Sequence, residues 1–312
     1  ESSMKVIGDS LLRRLLAVSL GLSFIAAPFA ATAARSTGRT NEVTPANSPA
    51  AQAARGIENP AALSSFYEAL AAIEQGRRTR PVRIAHYGDS HTAANILTAE
   101  VRKRFERDFG GGASVQEARS RILYDVLGIN GARAVRLLSW NESSFTSSLA
   151  ERRPDLVILA YGTNEVTDNN WSVESYQRMF VTILRRFRRA APQASILIFG
   201  PPDRAVRTGG GWQSAGKMPA LLEAQRRAAI EMGAAFWNSC AAMGGAGSMN
   251  AWVAAGLGQR DHVHLTGRGY IRLGDMFYED FLDAYEVYAP PGETLKRDGR
   301  RQEDELRRAL QF

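Results

Sequence analysis

The stretch Asp155-Leu156-Val157-Ile158-Leu159-Ala160-Tyr161-Gly162-Thr163-Asn164-Glu165 decides the fold. From Leu156 to Tyr161 the apolar run is unbroken and of strand length, without the alternation of a half-exposed strand. It therefore reads as a strand buried on both faces of a parallel sheet. Upstream, Val82-Arg83-Ile84-Ala85-His86-Tyr87 reads as a strand that enters Gly88-Asp89-Ser90, and an amphipathic helix around Ala61 to Glu74 precedes it. A helix from about Ala93 to Phe109 follows, Gly110-Gly111-Gly112 breaks it, and Ile122 to Ile129 reads as a strand ending at Asn130-Gly131. A further helix runs to about Leu149. Downstream the cycle repeats with helix Ser172 to Ala190, strand Ala194 to Phe199, helix Pro219 to Met232 and a short strand Ala234 to Trp237. Such alternation predicts a layered α/β fold with helices on both faces of the sheet. Ligands of open α/β sheets sit beyond the carboxyl ends of the strands, and three of those ends carry Gly88-Asp89-Ser90, Asn130-Gly131 and Gly162-Thr163-Asn164.

All four histidines fall in two clusters, His86 and His91 around Gly88-Asp89-Ser90, and His262 and His264 in Asp261-His262-Val263-His264. A serine hydroxyl becomes a nucleophile when a base takes its proton, and a carboxylate holds that base in the right tautomer. Ser90, a histidine and Asp261 can supply the three parts. His262 competes with His264 as base; the three-residue offset from Asp261 to His264 lets both of those side chains turn inward. Attack on an ester creates an oxyanion, for which the backbone N–H groups of Ser90 and Gly131 and the side chain of Asn164 are candidate donors. A Gly-Asp-Ser triplet is weak evidence alone: Gly8-Asp9-Ser10 repeats it with no strand in front. The rival at the residue level is a metal shell from His262 and His264 with His86, His91 and Asp89, which leaves Ser90, Gly131 and Asn164 unexplained. The reading therefore assigns no metal and no organic cofactor.

Tyr87-Gly88-Asp89-Ser90-His91, Gly128-Ile129-Asn130-Gly131, Tyr161-Gly162-Thr163-Asn164-Glu165 and Asp261-His262-Val263-His264 occur in the order of the blocks of SGNH hydrolases, the GDSL-type esterases, and the chain resembles that family from about Arg83 to Tyr270. The resemblance implies a three-layer α/β/α sandwich with a doubly wound, mainly parallel sheet. It implies Ser90 as nucleophile, Asp261 and His264 as its partners, and Ser90, Gly131 and Asn164 as the oxyanion hole. His91 stands where the family name has leucine, and Glu165 where Asp is more usual. With Trp212, Phe236-Trp237 and Ala242-Met243-Gly244-Gly245, these departures look like the bacterial subgroup containing peptidoglycan O-acetylesterases. The short interval from Ser90 to Gly131 leaves no room for the carbohydrate-binding module that some relatives insert there. An O-acetylated polysaccharide, most naturally peptidoglycan, is the implied substrate. A lysophospholipase or thioesterase, or an acetyl transferase, could use the same residues.

Other residues read more plainly. Trp212 follows Gly209-Gly210-Gly211 in an expected mobile loop and, with His91, is assigned to substrate contact; Trp237 is assigned to the core. His86 is expected in or behind the sheet. The single cysteine, Cys240, cannot form an internal bridge and reads as a small buried hydrophobe. Arg185, Arg186, Arg188 and Arg189 read as a solvated helix face.

The 312 residues, 45% hydrophobic and 23% charged, suffice for one well-buried domain and exclude a disulfide scaffold, a collagen-like chain and a polytopic membrane protein. Lys5, Arg13 and Arg14 precede the apolar stretch Leu15 to Phe29 and the small-residue site Ala31-Thr32-Ala33, so residues 1–34 read as an export signal, with an uncleaved anchor as the rival. Residues 35–59 read as a flexible linker, 60–289 as the catalytic domain and 290–312 as a charged tail with a short helix from about Glu303. The expected location is the periplasm or the exterior. The net charge of +7 suits an anionic partner, but export and the lack of any zinc-finger or RNA-binding motif argue against nucleic acid. No stable membrane insertion is expected after signal removal, and the oligomeric state is not legible.

Overall fold

A computed structural model describes residues 56–110 and 121–288. The proposed signal, most of the linker, the end of the glycine triplet and the charged tail lie outside those residues. A six-stranded sheet runs β1(Ile57–Glu58), β8(Ala235–Asn238), β5(Ser195–Gly200), β4(Leu156–Ala160), β2(Val82–Gly88) and β3(Ile122–Gly128) in spatial order. All neighbours pair in parallel except β1, which runs antiparallel to β8 at the edge. Ile57 and Glu58 therefore belong to the sheet rather than to the linker, because Ile57 is apolar enough to be buried against Trp237.

The inner strands β2, β4 and β5 are buried on both faces, while the edge strand β3 is half-buried along most of its length. On one face Val82, Ile84, Leu156 and Ile158 meet α1(Ser64–Glu74), α3(Ile96–Phe109) and the long α9(Gly267–Tyr288) through Phe66, Phe105, Phe277 and Phe281. On the other, Ala85, Tyr87, Val157 and Leu159 meet α4(Glu142–Arg152), α5(Val173–Ala190) and α6(Met218–Glu231) through Phe145, Phe180, Phe187 and Leu221. This alternation of side chains is the period of two expected of strands between two helical layers.

From β2 the chain adds β3 on one side and then crosses to add β4 on the other. The carboxyl ends of β2, β3 and β4 thus flank the topological switch point, where an open α/β sheet leaves a crevice. Two short helices, α7(Ser239–Met243) and α8(Ser248–Ala254), and a hairpin of β6(Ala205–Thr208) and β7(Gly211–Ser214) lie between β5 and α9 in the chain.

Several sequence expectations change. The helix expected from Ala93 begins earlier and breaks: Ser90–Ala93 makes one turn, α2, and Asn95, with φ 55°, separates it from α3. The mobile loop expected around Trp212 is the ordered β6–β7 hairpin, in which Thr208 pairs with Gly211 across Gly209 and Gly210. Arg186 is buried: it donates to the carbonyls of Leu137 and Trp140, pairs with Glu142 at 2.8 Å and lies over the Phe145 ring. No helix among the described residues is long and apolar enough to cross a membrane.

Candidate active site

The first part of the site is a strand ending in a turn of helix. β2 stops at Gly88, Asp89 caps α2 by accepting the His91 N–H at 3.0 Å, and Ser90 is the first helical residue. A residue at that position has a backbone N–H with no intrahelical acceptor. Asp89 is fully enclosed, and burial raises its carboxyl to about 6 against the opposing hydrogen bond from the His91 N–H.

The second part comes from the loop between α8 and α9, 174 residues further on. His264 Nε2 lies 2.9 Å from Ser90 Oγ, and His264 Nδ1 lies 2.7 Å from Asp261 Oδ2. The other carboxylate oxygen of Asp261 accepts the N–H groups of Val263 and His264, each at 2.9 Å. Burial opposes the ionised carboxyl of Asp261, but these bonds outweigh it and hold the group below the ordinary carboxylate range. An ionised carboxylate only accepts, so Nδ1 of His264 carries the proton and the bare Nε2 accepts the Ser90 hydroxyl. Chemically this is a serine hydroxyl whose proton has a place to go.

The third part is formed by the loops after β3 and β4. The Ala132 N–H donates to the Ile129 carbonyl at 3.1 Å, closing a turn in which Gly131 has φ 70°, the value that favours glycine at the third position of a type II turn. Asn164 Nδ2 donates to the Ala132 carbonyl at 2.9 Å, which commits one amide hydrogen and fixes the amide plane. The next residue, Glu165, accepts the Ala134 N–H at 2.7 Å. Asn164 and Glu165 thus grip the Gly131 turn at two points. Burial drives the Glu165 carboxyl up to about 7, with the Ala134 N–H acting the other way, so this side chain is a strut largely removed from water.

The structure brings Ser90, Asp261 and His264 together, and the Gly131 and Asn164 loops stand at the adjacent strand ends. His262 does not share the base position: its ring stacks on Trp212, while its Nδ1 bonds Asn250 at 2.9 Å. His91, expected to touch substrate, is only 8% exposed. Its ring packs against His264 and its Nδ1 shares a hydrogen bond with the Tyr270 hydroxyl at 3.1 Å, while burial and the nearby His264 lower its pKa to about 3. His91 thus packs the nucleophile's helix against the His264 ring and the start of α9 instead of facing the cleft. His86 lies within the sheet layer on Tyr124, at 2.9 Å. Cys240 is buried, which pushes its thiol up. Among the described residues no three His, Cys, Asp or Glu side chains converge as a metal shell.

Two contributors escaped the sequence reading. Tyr270 is one. Asp203 is the other: fully buried, it accepts Ser214 Oγ at 2.5 Å and the N–H groups of Gly247 and Met249 at 3.0 and 2.9 Å. It ties the hairpin to the start of α8. Its only sequence signal is its place after Pro201-Pro202, at the end of a strand.

A family model described as GDSL-like Lipase/Acylhydrolase matches residues 86–272, which spans every block of this site. The chain belongs to the GDSL-like lipase/acylhydrolase family. This GDSL-like protein is accordingly a carboxylic ester hydrolase. Among solved structures, one described as a peptidoglycan O-acetylesterase in action shares 21% identity at a TM-score of 0.65, covering 72% of this chain and 96% of the other. A two-domain esterase active on acetylated mannans shares 13% identity at a TM-score of 0.49, covering 72% and 53%. An acetyl xylan esterase shares 14% identity at a TM-score of 0.49, covering 64% and 98%. The first of these carries the same SGNH hydrolase fold as this family member. A comparison with curated proteins finds no match.

Proposed function

We propose that this GDSL-like hydrolase is an exported acetylesterase that removes O-acetyl groups from an envelope carbohydrate, with peptidoglycan as its polymer. The observation that carries the reading is the chain of bonds from Ser90 Oγ through His264 to Asp261. Ser90 Oγ attacks the acetyl carbonyl carbon and its proton passes to His264 Nε2. The oxyanion is held by the backbone N–H groups of Ser90 and Gly131 and by the second amide hydrogen of Asn164. On collapse the bond from carbon to the sugar oxygen breaks, and His264 returns its proton to that oxygen. Water, deprotonated by the same histidine, then releases acetate and restores Ser90. The carbohydrate part of the reading draws its support from the fold shared with a structure described as a peptidoglycan O-acetylesterase. The export part draws on the basic and apolar pattern of residues 1–34.

The test is acetate released by the purified protein from O-acetylated peptidoglycan, with acetylated xylan and a series of aryl esters of increasing acyl length alongside. Release from peptidoglycan is expected; hydrolysis of long-chain esters with no acetate from either polymer overturns the assignment. The oxyanion role of Asn164 has its own test. Asn164→Ala should lower kcat on 4-nitrophenyl acetate by roughly 10²- to 10³-fold, the usual cost of losing one such donor, with KM little changed. A loss of only two- or three-fold would remove Asn164 from the oxyanion hole.

A further inference from the structure

Trp212 is the exposed one of the five tryptophans, at 36%, and it is not loose. Its ring lies 4.0 Å from the His262 ring with 13° between the planes. The Asn250 side chain pins both partners: its Nδ2 donates to the Trp212 carbonyl at 2.9 Å, and its Oδ1 accepts from His262 Nδ1 at 2.9 Å. The His262 carbonyl in turn accepts the Ala205 N–H at the base of the hairpin, at 2.9 Å. His262 holds φ 56°, a conformation that residues with a Cβ avoid unless the surroundings impose it. Thus a hairpin, a short helix and a strained histidine combine to fix an indole whose remaining surface meets solvent. The core gains little from it. Two residues beyond His262 stands His264, 2.9 Å from the Ser90 hydroxyl, so the histidine that backs the indole and the nucleophile's base share one four-residue loop.

We infer that Trp212, backed by His262, is a sugar-ring platform: a pyranose of the acetylated glycan lies flat on the open face of the indole and is thereby presented to Ser90. A flat, rigid aromatic with one covered face suits the apolar C–H face of a pyranose, and it orders the sugar at little cost in side-chain freedom. His262 is a positioning residue for that ring. The inference rests on the carbohydrate acetylesterase reading and adds what selects carbohydrate esters over simple ones.

The test compares kcat/KM on soluble O-acetylated peptidoglycan fragments with kcat/KM on 4-nitrophenyl acetate, for wild type, Trp212→Ala, Trp212→Leu and Trp212→Phe. The leucine variant keeps an apolar contact for His262 while removing the flat ring, so it answers even if the alanine variant folds poorly. The expected result is that the glycan-to-aryl ratio falls about ten-fold in the alanine and leucine variants, through KM for the fragments, and recovers to within about three-fold in the phenylalanine variant. A ratio equal to wild type in all variants overturns the inference and leaves Trp212 as a brace for the Asp261–His264 loop. Wild type that cleaves the aryl ester but no glycan overturns the carbohydrate reading itself, and the platform with it, and is told apart by the wild-type measurement alone.

Discussion

His264→Ala should lower kcat/KM on 4-nitrophenyl acetate by about 10⁴-fold or more, the scale on which a serine hydrolase loses its base. Four bonds argue for that size. Nε2 faces the Ser90 hydroxyl at 2.9 Å, Nδ1 faces Asp261 at 2.7 Å, and the Asp261 carboxylate is itself fixed by two backbone N–H groups. Alanine leaves the serine proton without an acceptor. Asp261→Asn should cost a similar factor by another route, because an amide N–H turned toward Nδ1 would favour the tautomer in which Nε2 carries the proton and cannot take another. The Ser90→Ala/His264→Ala double variant should be no slower than either single one, since groups acting as one unit are lost together. Steady-state rates on the purified variants, with circular dichroism to confirm folding, check all three. A larger loss in His262→Ala than in His264→Ala would transfer the base role to His262 and break the assignment.

That assignment was available from the residues because the chemistry is compressed into short blocks. Asp261 to His264 places carboxylate and imidazole within one loop, and the serine sits directly after a buried strand. The strands were legible for a related reason: Leu156 to Ala160 has no polar residue to signal an exposed face, and a run like that has few places to go except the middle of a sheet. What was hidden depends on tertiary neighbours. Nothing in the order of residues tells that His91 turns inward to Tyr270 instead of outward to substrate, since the two lie 179 positions apart. The β6–β7 hairpin was hidden by its glycines, which read as a loop, and by exposed strands whose side chains lack a buried face to impose alternation. Arg186 looked like solvated surface because its burial follows from the carbonyls of Leu137 and Trp140, which belong to a different segment.

The second large effect concerns how the nucleophile's helix is seated. Gly88 and Gly128 are register partners at the ends of β2 and β3, and α2 lies directly over them. A Cβ on Gly128 would stand 2.2 Å from the Ala93 nitrogen and 2.5 Å from the Ala93 Cα. Both are backbone atoms of the turn that carries Ser90, so no side-chain rotation relieves the clash. Gly128→Ala should therefore destabilise the fold by about 3 kcal/mol or more, as overpacking against backbone does at its upper range, and lower the melting temperature by roughly 6 to 12 °C for a domain of this size. Surviving protein should also turn over slowly, because the shift needed to admit the methyl displaces Ser90 from His264. Gly131 is a control of the opposite kind. Nothing lies within 4 Å of a Cβ there, but its φ of 70° penalises any L side chain. Gly131→Ala should cost only about 1 to 2 kcal/mol, from backbone strain alone. Thermal unfolding of the two variants beside wild type should give melting temperatures in the order wild type, Gly131→Ala, Gly128→Ala. A Gly128→Ala protein as stable as wild type would mean that α2 does not rest on the strand ends, and the seat proposed for the nucleophile would be wrong.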